Sequence, residues 1–235
     1  AMMTKRVSAG FNSEMIFDTP DSIVYFITKY PTLEVVAKGR KATVTGDWNA
    51  AIFTSKAQNA AVTSYDMTNV VQLSEQPVAA NENALFFTAA PIEGSANVVA
   101  NGVCDSLLIH TRSEFASAKA FTARKAVLVL DDAKAGEWND VFMPFSAPLP
   151  YGMQGRVVNT IERSRLTVSN VREAEAMKPL LYLADREGLN TIGATDVALS
   201  TDTVGSLVDG FWKGSTLKTS LSRQASLLKT PATRL

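Results

Sequence analysis

Short apolar runs bounded by turn residues recur along the whole chain. They are Ile23–Thr28, Leu33–Ala37, Ala84–Thr88, Ser106–His110, Ala126–Leu130, Val141–Phe145, Leu180–Leu183 and Val197–Leu199. Each is rich in Val, Ile, Phe, Leu and Thr, and they follow one another at intervals of roughly 10–15 residues, the rhythm of sandwiches and barrels rather than of βαβ units. Pro31, Gly39, Gly46, Gly94, Pro148, Pro150, Gly152, Gly188, Gly193 and Gly210 punctuate where turns belong. Asn101-Gly102 is the strongest local signal, a two-residue hairpin turn joining Val98-Val99 to the strand around Leu107. The pattern predicts an all-β protein with few short helices, antiparallel and sandwich-like, in two β sub-structures.

Helix is predicted in two places. Val168–Met177 has Ser169 or Asn170 as a cap, acids at Glu173 and Glu175, and a stop at Lys178-Pro179. Val204–Phe211 offers a turn or two. The tail, 219–235, is open between strand, short helix and disorder.

One block is apolar on both faces. In Trp138-Asn-Asp-Val-Phe-Met-Pro-Phe145, alternation places Trp138, Phe142 and Pro144 with Asp140 on one side, and Val141, Met143 and Phe145 on the other. A strand of that kind is expected between layers. Trp138, Phe142 and Phe145 are therefore assigned to the core, with Pro144 at an edge or a strand end. The stretch from Gly39 to Trp48-Asn echoes that from Ala123 to Trp138-Asn: strand, acidic turn, Trp-Asn. Either two related sub-structures or common strand-turn-strand chemistry explains the echo. The expected organisation is an N-terminal β sub-structure over 1–80, a sandwich-like module over 81–218, and the tail.

The charge balance changes the list of partners. Lys+Arg and Asp+Glu both number 23 in 235 residues. The basic runs Lys38-Gly-Arg-Lys41 and Arg163-Ser-Arg165 are short and lie close to acids, so nucleic acid is not an expected partner. No apolar run is long enough to cross a bilayer as a helix. The N-terminus has no apolar stretch behind its charges, so no secretion signal is expected there. With one cysteine, Cys104, there is no intrachain disulfide, and a chain of this length needs none.

Catalytic chemistry finds little support. The only histidine, His110, lies six residues from Cys104. On one extended strand the two would be about 20 Å apart, too far for a nucleophile–base dyad. No nucleophile elbow, phosphate loop, dinucleotide fingerprint or zinc pattern occurs, and no metal or other cofactor is expected. Asp131-Asp132 and Glu173/Glu175 are the obvious acid pairs for a glycosidase. Asp131-Asp132-Ala-Lys-Ala-Gly136 reads instead as a hairpin turn. The expectation is a protein that is not an enzyme.

Binding remains, since sugars and proteins both use exposed aromatic platforms. Trp212 and Tyr151, the latter in a proline-rich loop, are the expected ligand contacts, with Trp48 third.

The order of several segments resembles a module recurring in large surface and secreted proteins of Bacteroidetes, often C-terminal to BspA-type leucine-rich repeats. The matching segments are Val62-Thr-Ser-Tyr-Asp66-Met-Thr68, Asn83-Ala-Leu-Phe-Phe87, Asn97-Val-Val-Ala-Asn-Gly102, Ser106-Leu-Leu-Ile109 and Phe121-Thr-Ala123. Gly136-Glu-Trp138-Asn139, Phe142-Met-Pro144-Phe145, Lys178-Pro-Leu-Leu-Tyr182 and Phe211-Trp-Lys-Gly214-Ser-Thr216 follow. The likeness covers roughly 60–216. It departs at Leu128 and Leu130, where the module carries an aromatic residue and an arginine. The resemblance implies an extracellular or cell-surface β-rich module with no catalytic activity, and a structural core role for Phe121 and Tyr182 as for Trp138, Phe142 and Phe145. The expected function is adhesion to a glycan, a host protein or a neighbouring protein. The alternative is a structural spacer or assembly subunit with no ligand of its own.

Overall fold

A computed structural model describes residues 3–7, 13–18, 23–28, 32–48, 60–162, 165–184, 186, 188–205 and 215–217. The strands in chain order are β1 (Met3–Val7), β2 (Ser13–Asp18), β3 (Ile23–Thr28), β4 (Thr32–Lys38), β5 (Lys41–Asp47) and β6 (Ser64–Val71). Next come β7 (Leu85–Thr88), β8 (Val98–Ala100), β9 (Val103–His110), β10 (Phe121–Ala133), β11 (Trp138–Phe142) and β12 (Ala147–Pro148). The last are β13 (Gln154–Glu162), β14 (Arg165–Val171), β15 (Glu173–Ala174), β16 (Pro179–Leu183) and β17 (Gly188–Leu199). No α-helix occurs among the described residues, and each apolar run named above falls on a strand or overlaps one. The protein is all-β.

The strands form a mixed eleven-stranded sheet in the order β1 to β10 then β17, a four-stranded sheet β11-β16-β13-β14, and a small pair β12-β15. Two compact units share them. One comprises Ala1–Ala126 with Thr195–Thr201, the other Val127–Ala194 with Asp202–Leu235. The division therefore falls within β10 and β17 rather than near residue 80. That expected boundary fails because β6 is hydrogen-bonded to β5 on one side and β7 on the other, so the sheet runs straight through it.

In the first unit, β1 to β5 make an antiparallel meander. β4 and β5 meet at a two-residue turn whose first position, Gly39, takes a φ of 58°, as a primed hairpin turn demands. From β5 to β8 the pairing becomes parallel, a departure from the antiparallel expectation. Parallel register stacks like on like: Ala42, Tyr65, Phe86 and Val98 form one buried row. The Tyr65 ring stacks on Phe86 with centroids 5.5 Å apart. With Leu33, Val35, Val44 and Met67 these side chains build the core of this unit, each large one contributing about 1.5–3 kcal/mol.

Three buried asparagines hold the loops between the parallel strands. Antiparallel pairing of β9 with β8 ends at Val99↔Cys104. Beyond it the Asn97 amide accepts from the Leu108 N–H (2.8 Å) and donates to the Leu108 carbonyl (3.0 Å). Asn83 repeats the arrangement one pleat further on, accepting from the His110 N–H (2.7 Å) and donating to the His110 and Ser113 carbonyls, both 2.8 Å. Asn81 fixes the approach, accepting from the Asn83 N–H and donating to the Glu114 carbonyl. Side-chain amides thus continue the ladder where strand β8 has run out. The Asn101-Gly102 hairpin forms where predicted, both residues at positive φ (51° and 76°).

In the second unit the predicted helix over 168–177 is replaced by β14 and β15. Arg165-Leu-Thr-Val-Ser-Asn-Val171 carries three β-branched residues, Thr167, Val168 and Val171, and pairs along its length with β13. That pairing outweighs the capping residues. Pro179 opens β16 rather than ending a helix, and a strand's first position tolerates proline. The turn expected at Asp131–Gly136 begins later. Asp131 and Asp132 still belong to β10, which runs to Ala133, and the bend is Lys134–Glu137 with Gly136 at φ 73°. Asn139 clamps it, accepting from the Lys134 N–H and donating to the Lys134 and Glu137 carbonyls.

Candidate functional site

The four-stranded sheet has one face turned inward. Val141, Leu180 and Tyr182 are buried there. A Cβ on Gly155 would lie 2.2 Å from Leu149 Cδ1 and 3.3 Å from Val171 Cγ2. Burial pushes the Tyr182 phenol up to about 12, with the Asp140 and Asp132 charges adding to it.

The register sets the opposite face row by row. Trp138 stands opposite Leu183, and Leu183 opposite Gln154. In the next row Asp140, Leu181, Arg156 and Asn170 follow one another across all four strands. Trp138, Asp140, Gln154 and Asn170 are exposed, and Leu181, Leu183 and Arg156 half-buried. Further along, Phe142 is covered: Gly205 packs so tightly on its ring and on the Met177 carbonyl that a Cβ would meet that oxygen at 2.1 Å. Among the described residues, the Trp138 end is the more exposed end.

At that end the groups are held in place. The Arg156 guanidinium lies over the Trp138 ring, its carbon 4.3 Å from the centroid, and its Nε donates to Asn170 Oδ1 at 3.1 Å. Stacking and hydrogen bond together fix the plane of the guanidinium. Among the described residues, neither Nη of Arg156 has a hydrogen-bond or ion-pair partner, and nor does the Trp138 indole N–H. Tyr151, in the turn that leads into Gln154, is fully exposed. Gln154 belongs to the Trp138 row, so both exposed aromatics stand at the same end of this sheet.

The residues named from sequence divide accordingly. Phe121, Phe145 and Tyr182 are buried, and Phe142 is half-buried. Trp138 is not a core residue: it is 39% exposed. β11 is an edge strand, and only the side carrying Val141 faces the interior. Tyr151 is exposed as expected. Trp48 is half-buried against the first unit's core, its Nε1 donating to Glu75 Oε1 at 3.1 Å, so the ring is engaged in packing. Trp212 lies outside the described residues. Arg156 was missed because nothing in Gln-Gly-Arg-Val marks it, and only cross-strand register brings it to Trp138.

Elsewhere, the first unit carries an open groove of about 270 Å³ at the ends of the parallel strands, lined by Thr68, Phe87, Thr88, Asn101, Gly102 and Lys119. Lys119 Nζ sits 3.5 Å from Asp66 Oδ2 and 5.5 Å from the Phe87 centroid. Burial pulls the Asp66 carboxyl upward, but the Thr68 hydroxyl and N–H and the Lys119 charge outweigh it and hold the carboxyl below its usual value. Its charged groups satisfy one another. Cys104 and His110 lie on the same strand, β9, six residues apart, and form no dyad. The Cys104 thiol is pushed up to about 11, chiefly by burial. Among the described residues no group of three or more His, Cys, Asp or Glu side chains could hold a metal ion, and no helix is long and apolar enough to cross a membrane. No protein-family model, curated protein or solved structure matches the chain.

Proposed function

We propose that the protein is a non-catalytic recognition module of a bacterial surface or secreted protein, and that it binds a glycan on the Trp138 face of its four-stranded sheet. One observation carries this reading: Trp138 stands exposed on a rigid sheet with Arg156 fixed on its ring. An exposed indole costs solubility unless it is used, and a flat aromatic beside unpaired donors and acceptors is what sugar rings bind. Strands hold such a platform more precisely than loops do. The surface and extracellular setting is supported by the motif order across 60–216.

The test is intrinsic tryptophan fluorescence titrated with mucin-type and cell-wall glycans. A saturable change that disappears in Trp138→Ala, while the urea midpoint stays close to wild type, is the expected result. A change that survives Trp138→Ala moves the site elsewhere. No response to any glycan removes the reading.

A further inference from the structure

We infer that the ligand of the Trp138 face is an acidic glycan, read through a sugar carboxylate seated on the free edge of Arg156. The inference rests on the recognition surface proposed above and names its ligand class. A guanidinium is the preferred partner of planar oxyanions because its paired N–H groups match them in spacing and direction. On most protein surfaces that preference is diluted, since a mobile arginine must be immobilised on binding. Here the immobilisation is already done. The indole of Trp138 holds the plane at 4.3 Å and Asn170 Oδ1 occupies Nε, leaving the two Nη groups as the open edge.

The surroundings supply the rest of a sugar's requirements. Asp140 shares the Arg156 row but lies two strands away, about 10 Å by strand spacing, and the two form no ion pair. Its carboxylate is free to accept hydroxyl donors without neutralising Arg156. The Gln154 amide and the Asn170 Nδ2 add a donor-acceptor pair and a donor on the same face. Leu181 and Leu183, half-buried between them, give the apolar floor that the C–H face of a pyranose covers. A neutral sugar would use Trp138 and Asp140 but leave the Arg156 edge without an anion.

Calorimetric titration of the full chain with short oligogalacturonates and their methyl esters isolates the carboxylate, because esterification removes the charge and keeps the ring. Sialyllactose against its methyl ester repeats the contrast on a second acid. The free acids are expected to bind roughly tenfold or more tightly than their neutral counterparts. Arg156→Gln should erase that preference, and Arg156→Lys, which keeps the charge but not the fork, should restore only part of it. Equal binding of acid and ester overturns the carboxylate assignment while leaving the recognition face standing. Binding of an acidic peptide such as oligoglutamate, lost in Arg156→Gln, with no sugar bound, overturns the glycan in favour of a protein segment. No binding of any of these probes overturns this inference, while the reading beneath it falls only if the wider panel of mucin-type and cell-wall glycans also gives no response.

Discussion

The loops around β7, β8 and β9 and the open end of the four-stranded sheet use the same polar chemistry in opposite ways. In the first, Asn97 and Asn83 are buried and each spends its amide on backbone that has lost its strand partner. In the second, Arg156 and Asn170 lock each other in place and keep further hydrogen-bonding capacity turned outward. Polar groups that close a fold are satisfied in every direction, because a buried orphan costs about 1–3 kcal/mol. Polar groups meant for a partner are fixed yet incomplete. That difference, more than exposure alone, separates a structural asparagine from a recognition residue.

The largest effect should come from breaking the closed side. Asn97→Ala leaves the Leu108 N–H and carbonyl without their amide and places alanine at a φ of 59°. A loss of about 2–4 kcal/mol is expected, read as a fall in the urea midpoint. Asn97→Asp, which keeps the acceptor but sets a carboxylate oxygen against the Leu108 and Glu82 carbonyls in a buried site, should be no milder at neutral pH. Next is Gly205→Ala. Its Cβ would lie 2.1 Å from the Met177 carbonyl, so backbone must move, at roughly 1–3 kcal/mol. It should also uncover the Phe142 ring, visible as increased dye binding. Trp138→Ala belongs to the open side and should change stability by no more than about 1 kcal/mol while abolishing glycan binding. A large stability loss there would mean that the indole is structural after all.

The smallest effect is electrostatic. Arg112 holds Glu82 through two short bonds, outweighing the cost of burial; with Ser113 and the His110 and Arg112 charges it draws the carboxyl down from 4.5 to about 2. A depressed carboxyl stabilises the fold fully above its ordinary pKa and loses that contribution as pH falls through the depressed one. Arg112→Gln should therefore be slightly less stable than wild type at neutral pH, and the gap should close between pH 4.5 and about 2. Both groups are substantially exposed, which keeps the difference small. A gap independent of pH would assign the effect of Arg112 to packing.

Strand existence was written plainly in the apolar runs, and Asn101-Gly102 fixed its own hairpin. The parallel turn of the sheet after β5 was not legible, since nothing local distinguishes a strand that pairs with its hairpin neighbour from one that pairs after a long loop. The 168–177 segment misled because capping residues are local and visible, whereas pairing with Gln154–Glu162 is remote. Trp138 misled for a related reason. An apolar residue on an alternating strand shows its face, but not whether another layer covers that face. Asn83 and Asn97 stood at the head of two segments noted for their order, yet their role needed the end of strand β8 to be seen. Tyr151 was legible because proline and glycine on either side leave little but a turn.

Oxidative footprinting by hydroxyl radicals, with and without saturating oligogalacturonate, tests the central claim most directly. Trp138 and Tyr151 should be oxidised readily in the free protein and Trp48 more slowly; on binding, protection should fall on Trp138 while Trp48 stays unchanged. Protection confined to any other aromatic, or a Trp138 that is already shielded in the free protein, would contradict the account.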